Sequence, residues 1–110
     1  MRKNKIHYSM EVRRDLDEIW DYIALDLQNR SAADRMVGRI LDDVERLESF
    51  AEMGAPLSSI VDVESDHRFL VTGNYLTFYR AYGSDVYIDR VLYGRSNYLR
   101  ILFGDPETTE

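Results

Sequence analysis

Cysteine is absent from this 110-residue chain, and histidine and proline occur only twice each. Without cysteine the chain can form neither a disulfide bond nor a thiolate zinc site. No apolar run approaches the roughly 18 residues that a membrane-spanning helix requires. Positive charge is not in excess either, since the net charge at pH 7 is −6, which argues against a general attraction to nucleic acid. These absences predict a cytoplasmic protein that does not enter a membrane.

Glycine-rich phosphate loops, metal-ligand spacings and a nucleophile elbow are also missing. The two histidines, His7 and His67, have no neighbour in sequence that suggests a catalytic pair. A lone histidine near a strand end is usually a polar edge residue. The sequence therefore predicts no catalytic residue, no metal and no cofactor.

The charge that is present is unevenly distributed. Residues 67–104 carry five arginines against Asp85 and Asp89, so this segment has a net charge of 5 − 2 = +3. The same segment is rich in tyrosine, and arginine and tyrosine are the residue types that dominate protein–protein interfaces. They also bind phosphate and stack on bases. The alternative is that these arginines pair with acidic residues of the protein's own helices.

Two amphipathic helices are expected in the first half of the chain. Apolar residues recur every three or four positions over residues 12–27, which predicts a helix of about five turns. Ser31 is the expected N-cap of a second helix, whose apolar stripe covers residues 33–47 and which ends before Gly54. The short link predicts an antiparallel hairpin, with Trp20 packed inside it.

The second half of the chain has the pattern of β-strands. Short glycine-containing links separate runs that are rich in β-branched and aromatic residues, which predicts an antiparallel meander. The expected strands are residues 6–9, 68–72, 75–82 and 86–93. Together the elements predict an α+β fold in the order β-α-α-β-β-β with a short C-terminal helix, in which the N-terminal strand and the helical hairpin pack on the three-stranded meander. Residues 1–104 are expected to form one domain with one sheet face partly open, and residues 105–110 a disordered tail.

Four segments in this order and spacing are similar to those of a known family. They are DLDEIWDYI at residues 15–23, HRFLV at 67–71, YLTFYR at 75–80 and IDRVLYGRSNY at 88–98. The chain resembles the RelE/ParE superfamily of toxins from type II toxin–antitoxin systems, and the ParE branch most closely. The resemblance covers nearly the whole folded length and implies a cytoplasmic toxin that is neutralised by a cognate antitoxin.

The two branches of this superfamily differ in chemistry. RelE-like toxins cut mRNA in the ribosome with basic residues on their sheet, whereas ParE-like toxins poison DNA gyrase. Leu70 and Leu76 lie where the mRNA-cutting branch would place basic side chains. An apolar side chain can neither neutralise a phosphate nor supply a proton. The resemblance therefore favours a non-catalytic gyrase inhibitor, with no direct sequence-specific binding of nucleic acid by the toxin alone.

Five residues are expected to bind the antitoxin or the target: Arg68, Arg80, Arg90, Arg95 and Tyr98. An acidic antitoxin segment would form charge-assisted hydrogen bonds with such arginines. Two alternatives remain open. The protein could be a ribosome-dependent mRNA endonuclease that uses these arginines as a phosphate clamp. It could also be a degenerate member that binds its antitoxin without toxicity, since the closing segment carries tyrosine where the family commonly has histidine.

Overall fold

A computed structural model of the chain describes residues 3–104. The expected tail at residues 105–110 lies outside the described residues. The elements are β1 (Lys5–Tyr8), α1 (Met10–Asp21) with a π-helical turn (Tyr22–Asp26), α2 (Arg30–Glu45) with a 3₁₀ turn (Arg46–Glu48), β2 (Ala55–Pro56) with a 3₁₀ turn (Leu57–Ser59), β3 (Arg68–Thr72), β4 (Tyr75–Tyr82), β5 (Asp85–Tyr93) and α3 (Tyr98–Phe103).

The five strands form one sheet in the order β1-β5-β4-β3-β2. The predicted meander is confirmed, because β3, β4 and β5 pair antiparallel through tight links at Gly73 and Gly83, both of which have positive φ angles. β1 joins the meander in parallel along β5, with Lys5 opposite Asp85. β2 was not predicted, since it is only two residues long and contains a proline.

Helix α1 begins where the sequence indicates. The Ser9 hydroxyl accepts a hydrogen bond from the backbone N–H of Val12 at 3.1 Å and so caps the first turn. At its other end the helix widens into the π-helical turn and stops at Gln28, whose φ is +54°. Both features lie at the tip of the hairpin, where a change of direction is required.

Helix α2 begins two residues earlier than predicted. Asn29 is the N-cap in place of Ser31, and its side-chain oxygen accepts the N–H of Ala32 at 3.0 Å. Ser31 is already helical and donates its hydroxyl to Asn29. The predicted role of Trp20 in the hairpin is confirmed, because its indole Nε1 donates to Asp34 of α2 at 2.8 Å.

The main core lies between the hairpin and one face of the sheet. Its fully buried side chains come from both helices, the 3₁₀ turn after α2, and strands β4 and β5: Val12, Ala33, Ile40, Val44, Leu47, Tyr79, Val86 and Ile88. The hydroxyl of Tyr79 donates to the carbonyl of Ala51 and accepts the N–H of Gly54, so this buried tyrosine also fixes the chain that leaves α2.

A second, smaller core covers half of the opposite sheet face. Leu57, Phe78 and Leu92 are buried there, beneath α3 and the connection between β2 and β3. The rings of Phe78 and Tyr98 lie 5.3 Å apart and attach α3 to the sheet. The half of this face formed by the start of β5, the end of β4 and β1 has no such cover among residues 3–104, so the face is partly open as predicted.

Candidate functional site

Arg90 is held by a buried carboxylate of α1. Its Nε and Nη2 donate to the two carboxylate oxygens of Asp15 at 2.8 and 2.7 Å, and Asp15 is only 4% exposed. The hydrogen bond to Asp15 raises the pKa of the Arg90 guanidinium. The same carboxylate accepts the backbone N–H of Val91 at 3.0 Å. Arg90 thus fastens the first helix to the last strand, and its charge is neutralised.

A β-bulge explains why Asp15 is needed at this point. Phe78 pairs with Arg90 and Tyr79 with Ile88, so Asp89 is the extra residue of β5. The bulge takes backbone groups out of the regular β-ladder, and residues outside the meander satisfy them. Asp15 accepts the N–H of Val91, and the Ser9 hydroxyl donates to the carbonyl of Asp89 at 2.9 Å.

Arg80 is neutralised on the other sheet face. It donates from Nε and Nη2 to the carboxylate of the bulge residue Asp89 at 2.8 and 3.1 Å, and His67 Nε2 lies 3.0 Å from the same carboxylate. Burial by itself raises the pKa of the Asp89 carboxyl, but the hydrogen bonds from His67 and Arg80 outweigh burial and lower it. His67, predicted to be a plain edge residue, therefore belongs to a polar network, and its ring also meets that of Phe103 in α3.

Arg68 points to the hairpin side. Its Nη1 donates to the carbonyls of Gly54 and Glu52 at 2.7 and 3.3 Å, and the Glu52 carboxylate lies 3.9 Å away. Gly54 has to be glycine, because an added Cβ would lie 2.8 Å from the carbonyl oxygen of Phe69. Arg68 therefore holds the chain segment after α2 and does not form one surface with Arg80.

Arg95 and Tyr98 lie beyond the end of β5. Arg95 is exposed and forms no ion pair with any residue between positions 3 and 104. Tyr98 is half-buried in the second core. The structure therefore distributes the five predicted residues over separate environments, and only the guanidinium of Arg95 is left without an internal partner.

A groove that sequence reasoning missed lies between the hairpin tip and the end of the sheet. This hairpin groove has a volume of about 680 Å³, and its lining includes the Asp15–Arg90 ion pair and the side chains of Tyr22, Leu27, Met36, Tyr75, Tyr93 and Ile101. Tyr22, Leu27, Tyr93 and Ile101 are each about half exposed. The available signal was the apolar stripe of α1, which continues to Leu27 although the buried positions end at Ala24. Large apolar side chains around a concave surface are typical of binding sites.

The arrangement is suited to binding. Within residues 3–104, no three metal-ligating side chains come together to hold an ion. None of the described helices is long and apolar enough to cross a membrane. The bidentate arginine–aspartate pairs are structural contacts, and the hairpin groove and Arg95 are the features left for a partner.

Comparisons with known proteins agree with this geometry. A family profile described as the ParE toxin of the type II toxin–antitoxin system parDE matches residues 6–98. No curated protein matches the chain. Among solved structures, a chain of the chromosomal ParDE toxin–antitoxin system from Pseudomonas aeruginosa is similar with a TM-score of 0.68 at 24% identity, over 83% of this chain and 96% of that chain. A chain of the RelBE2 toxin–antitoxin complex from Mycobacterium tuberculosis is similar with a TM-score of 0.60 at 18% identity, over 84% and 93% of the two chains.

Proposed function

Because the chain belongs to the ParE toxin family of type II toxin–antitoxin systems, we propose that a cognate antitoxin neutralises it and that its target in the cytoplasm is DNA gyrase. We further propose that it acts by binding and not by catalysis. The observation that carries this proposal is that the sheet arginines are neutralised within the protein.

A phosphate clamp needs guanidinium groups that are free to meet an anion. Arg80 and Arg90 are each bound through two nitrogens to an aspartate of the same chain. Leu70 lies in the main core, and Leu76 packs against the second core. The positions where an mRNA-cutting toxin would carry basic side chains are therefore occupied by packing residues. These features support a toxin without nuclease chemistry.

The hairpin groove is the surface that we propose for the antitoxin. Its apolar rim exposes two tyrosines, a leucine and an isoleucine, and an antitoxin that covered them would remove this apolar surface from water. Arg95 follows the groove residue Tyr93 by two positions, and its free guanidinium suits an acidic residue of the same antitoxin. The other predicted arginines and Tyr98 would support this surface from within the fold.

Leu27→Glu is expected to weaken antitoxin binding by about 10- to 100-fold, because burying a leucine side chain contributes about 1.5–3 kcal/mol. Leu25→Glu is the matched control. The two leucines are 55% and 54% exposed, but only Leu27 lines the groove. Calorimetric titration of the purified toxin with its antitoxin measures both variants. If both variants lost the same amount of affinity, the antitoxin would not bind in the hairpin groove.

Expression of the chain without its antitoxin is expected to arrest growth, and the purified protein is expected to inhibit supercoiling by gyrase. Undisturbed supercoiling would remove gyrase as the target. Primer extension on cellular mRNA separates the remaining possibilities. Cuts within codons, abolished by Arg80→Ala, would reveal a nuclease, whereas tight antitoxin binding without growth arrest would reveal a non-toxic member.

A further inference from the structure

Three aromatic rings form a continuous patch on the open half of the second sheet face. His7 of β1 stacks on Tyr87 of β5, with ring centroids 4.8 Å apart and an interplanar angle of 17°. The ring of Tyr82 at the end of β4 follows at 6.3 Å from Tyr87. Tyr82 and Tyr87 are 47% and 38% exposed. We call these three residues the aromatic platform.

Two carboxylates flank the aromatic platform. Asp85 lies 2.9 Å from His7 Nε2, and Asp66 accepts the hydroxyl of Tyr82. Neither carboxylate forms an ion pair with a lysine or arginine among residues 3–104. The bond to Asp66 raises the pKa of the Tyr82 phenol, and the phenol hydroxyl donates this hydrogen bond and holds Asp66 beside the ring. The guanidinium of Arg80 lies near the Tyr82 ring but is bound to Asp89, so Asp66 and Asp85 are negative charges without a direct lysine or arginine contact among residues 3–104.

This combination of groups determines which ligand chemistry fits. Aromatic faces attract cations, and a guanidinium can lie flat on a ring while its N–H groups bind a carboxylate. The chain already shows this contact once, since the guanidinium carbon of Arg80 lies 5.9 Å from the centroid of the Tyr82 ring. A nucleic acid could stack on the same rings, but its phosphates would be repelled by Asp66 and Asp85.

We propose that the aromatic platform docks a segment of a partner protein that presents an arginine side chain to Tyr82 and Tyr87, between Asp66 and Asp85. The site lies on the sheet face opposite the helical hairpin and is separate from the hairpin groove. It is therefore a second docking surface, and it does not depend on the toxin activity proposed above.

Titration of the isotope-labelled full chain with a short blocked peptide that has one central arginine tests the proposal. The twin peptide carries citrulline at that position, which has a similar shape but no charge. Amide chemical shifts are expected to move in β1 and in the turn between β4 and β5, with at least about tenfold weaker binding of the citrulline peptide. Equal binding of the two peptides, or shifts confined to the acidic helices, would overturn the proposal.

Variants locate the contact. Tyr82→Leu and Tyr87→Leu are each expected to weaken peptide binding by about three- to tenfold. Tyr8→Leu is the matched control, because Tyr8 is 39% exposed on the same strand as His7 but lies outside the aromatic platform. Tyr82→Phe keeps the ring and loses only the hydrogen bond to Asp66. We therefore expect this variant to fold and to bind the peptide less weakly than Tyr82→Leu does. Unchanged binding in both Tyr82→Leu and Tyr87→Leu, or binding of a uridine oligonucleotide instead of the peptide, would refute an arginine site.

Discussion

Replacing Asp15 by alanine is expected to lower the free energy of unfolding by about 3–5 kcal/mol, because it leaves a partly buried guanidinium without its counter-charge. The substitution removes three hydrogen bonds at once, two from Arg90 and one from the backbone N–H of Val91. The N–H of Val91 is buried beside the bulge, and an unpaired buried donor costs about 1–3 kcal/mol by itself. Urea unfolding followed by circular dichroism measures the loss.

Asp17→Ala is the control for Asp15→Ala. Asp17 lies on the same helix, is exposed and forms no hydrogen bond or ion pair with the rest of residues 3–104. Its replacement should change stability by less than about 0.5 kcal/mol. Asp15→Asn keeps an acceptor for the N–H of Val91, so its loss of unfolding free energy should lie between those of Asp17→Ala and Asp15→Ala. A loss below about 1 kcal/mol for Asp15→Ala would show that Arg90 finds water or another acid, and that the pair does not fasten the helix to the sheet.

Phe78→Ala is expected to cost about 3–5 kcal/mol, because it empties the centre of the second core. The Phe78 ring is fully buried, although it faces away from the helical hairpin. Its partner Tyr98 belongs to α3, a helix of only six residues that has no buried side chain of its own. Without the Phe78 ring, α3 is expected to lose its main attachment to the sheet.

A double-mutant cycle of Phe78→Ala and Tyr98→Ala tests this attachment. We expect a coupling of about 0.5–1.5 kcal/mol between the two rings, as measured for other aromatic pairs. Val71→Ala in β3 serves as the control, since Val71 is 62% exposed and lies outside both cores. Additive losses would mean that α3 is held by the leucines around it and not by the ring pair.

The elements of the fold could be predicted from local patterns, while their ends required the structure. β3 and β4 have the predicted bounds, and β5 begins one residue early at Asp85. The N-cap of α2 was misplaced because Asn29 and Ser31 are both good capping residues, and sequence alone does not rank them. β2 was not predicted because it is a strand only through its pairing with β3, and that pairing depends on the path of the chain after α2 and not on the two residues of β2.

The candidate site was only partly predictable. Sequence reasoning selected the arginines for their chemistry, but the sequence does not show whether a guanidinium is free or bound to a carboxylate of the same chain. Arg80 is paired with Asp89, the extra residue of the bulge in β5, and a bulge leaves no reliable signal in a single sequence. The hairpin groove was missed because large apolar residues such as Tyr22 and Leu27 on an amphipathic helix have the pattern of core residues. In the structure the sheet ends before it reaches them, so both stay about half exposed.

The sequence by itself determined the order of the helices and of the four longer strands, the two apolar stripes and the family, because side-chain periodicity and short motifs are properties of neighbouring residues. Only the tertiary structure decided which charges are neutralised and which surfaces stay open. Arg90 and Asp15 are 75 positions apart, and Tyr87 and His7 are 80 apart, yet each pair is in contact. Such contacts depend on how the sheet is assembled and where its bulge falls. Whether an arginine stabilises the fold or remains free to bind a partner is therefore decided by the tertiary structure.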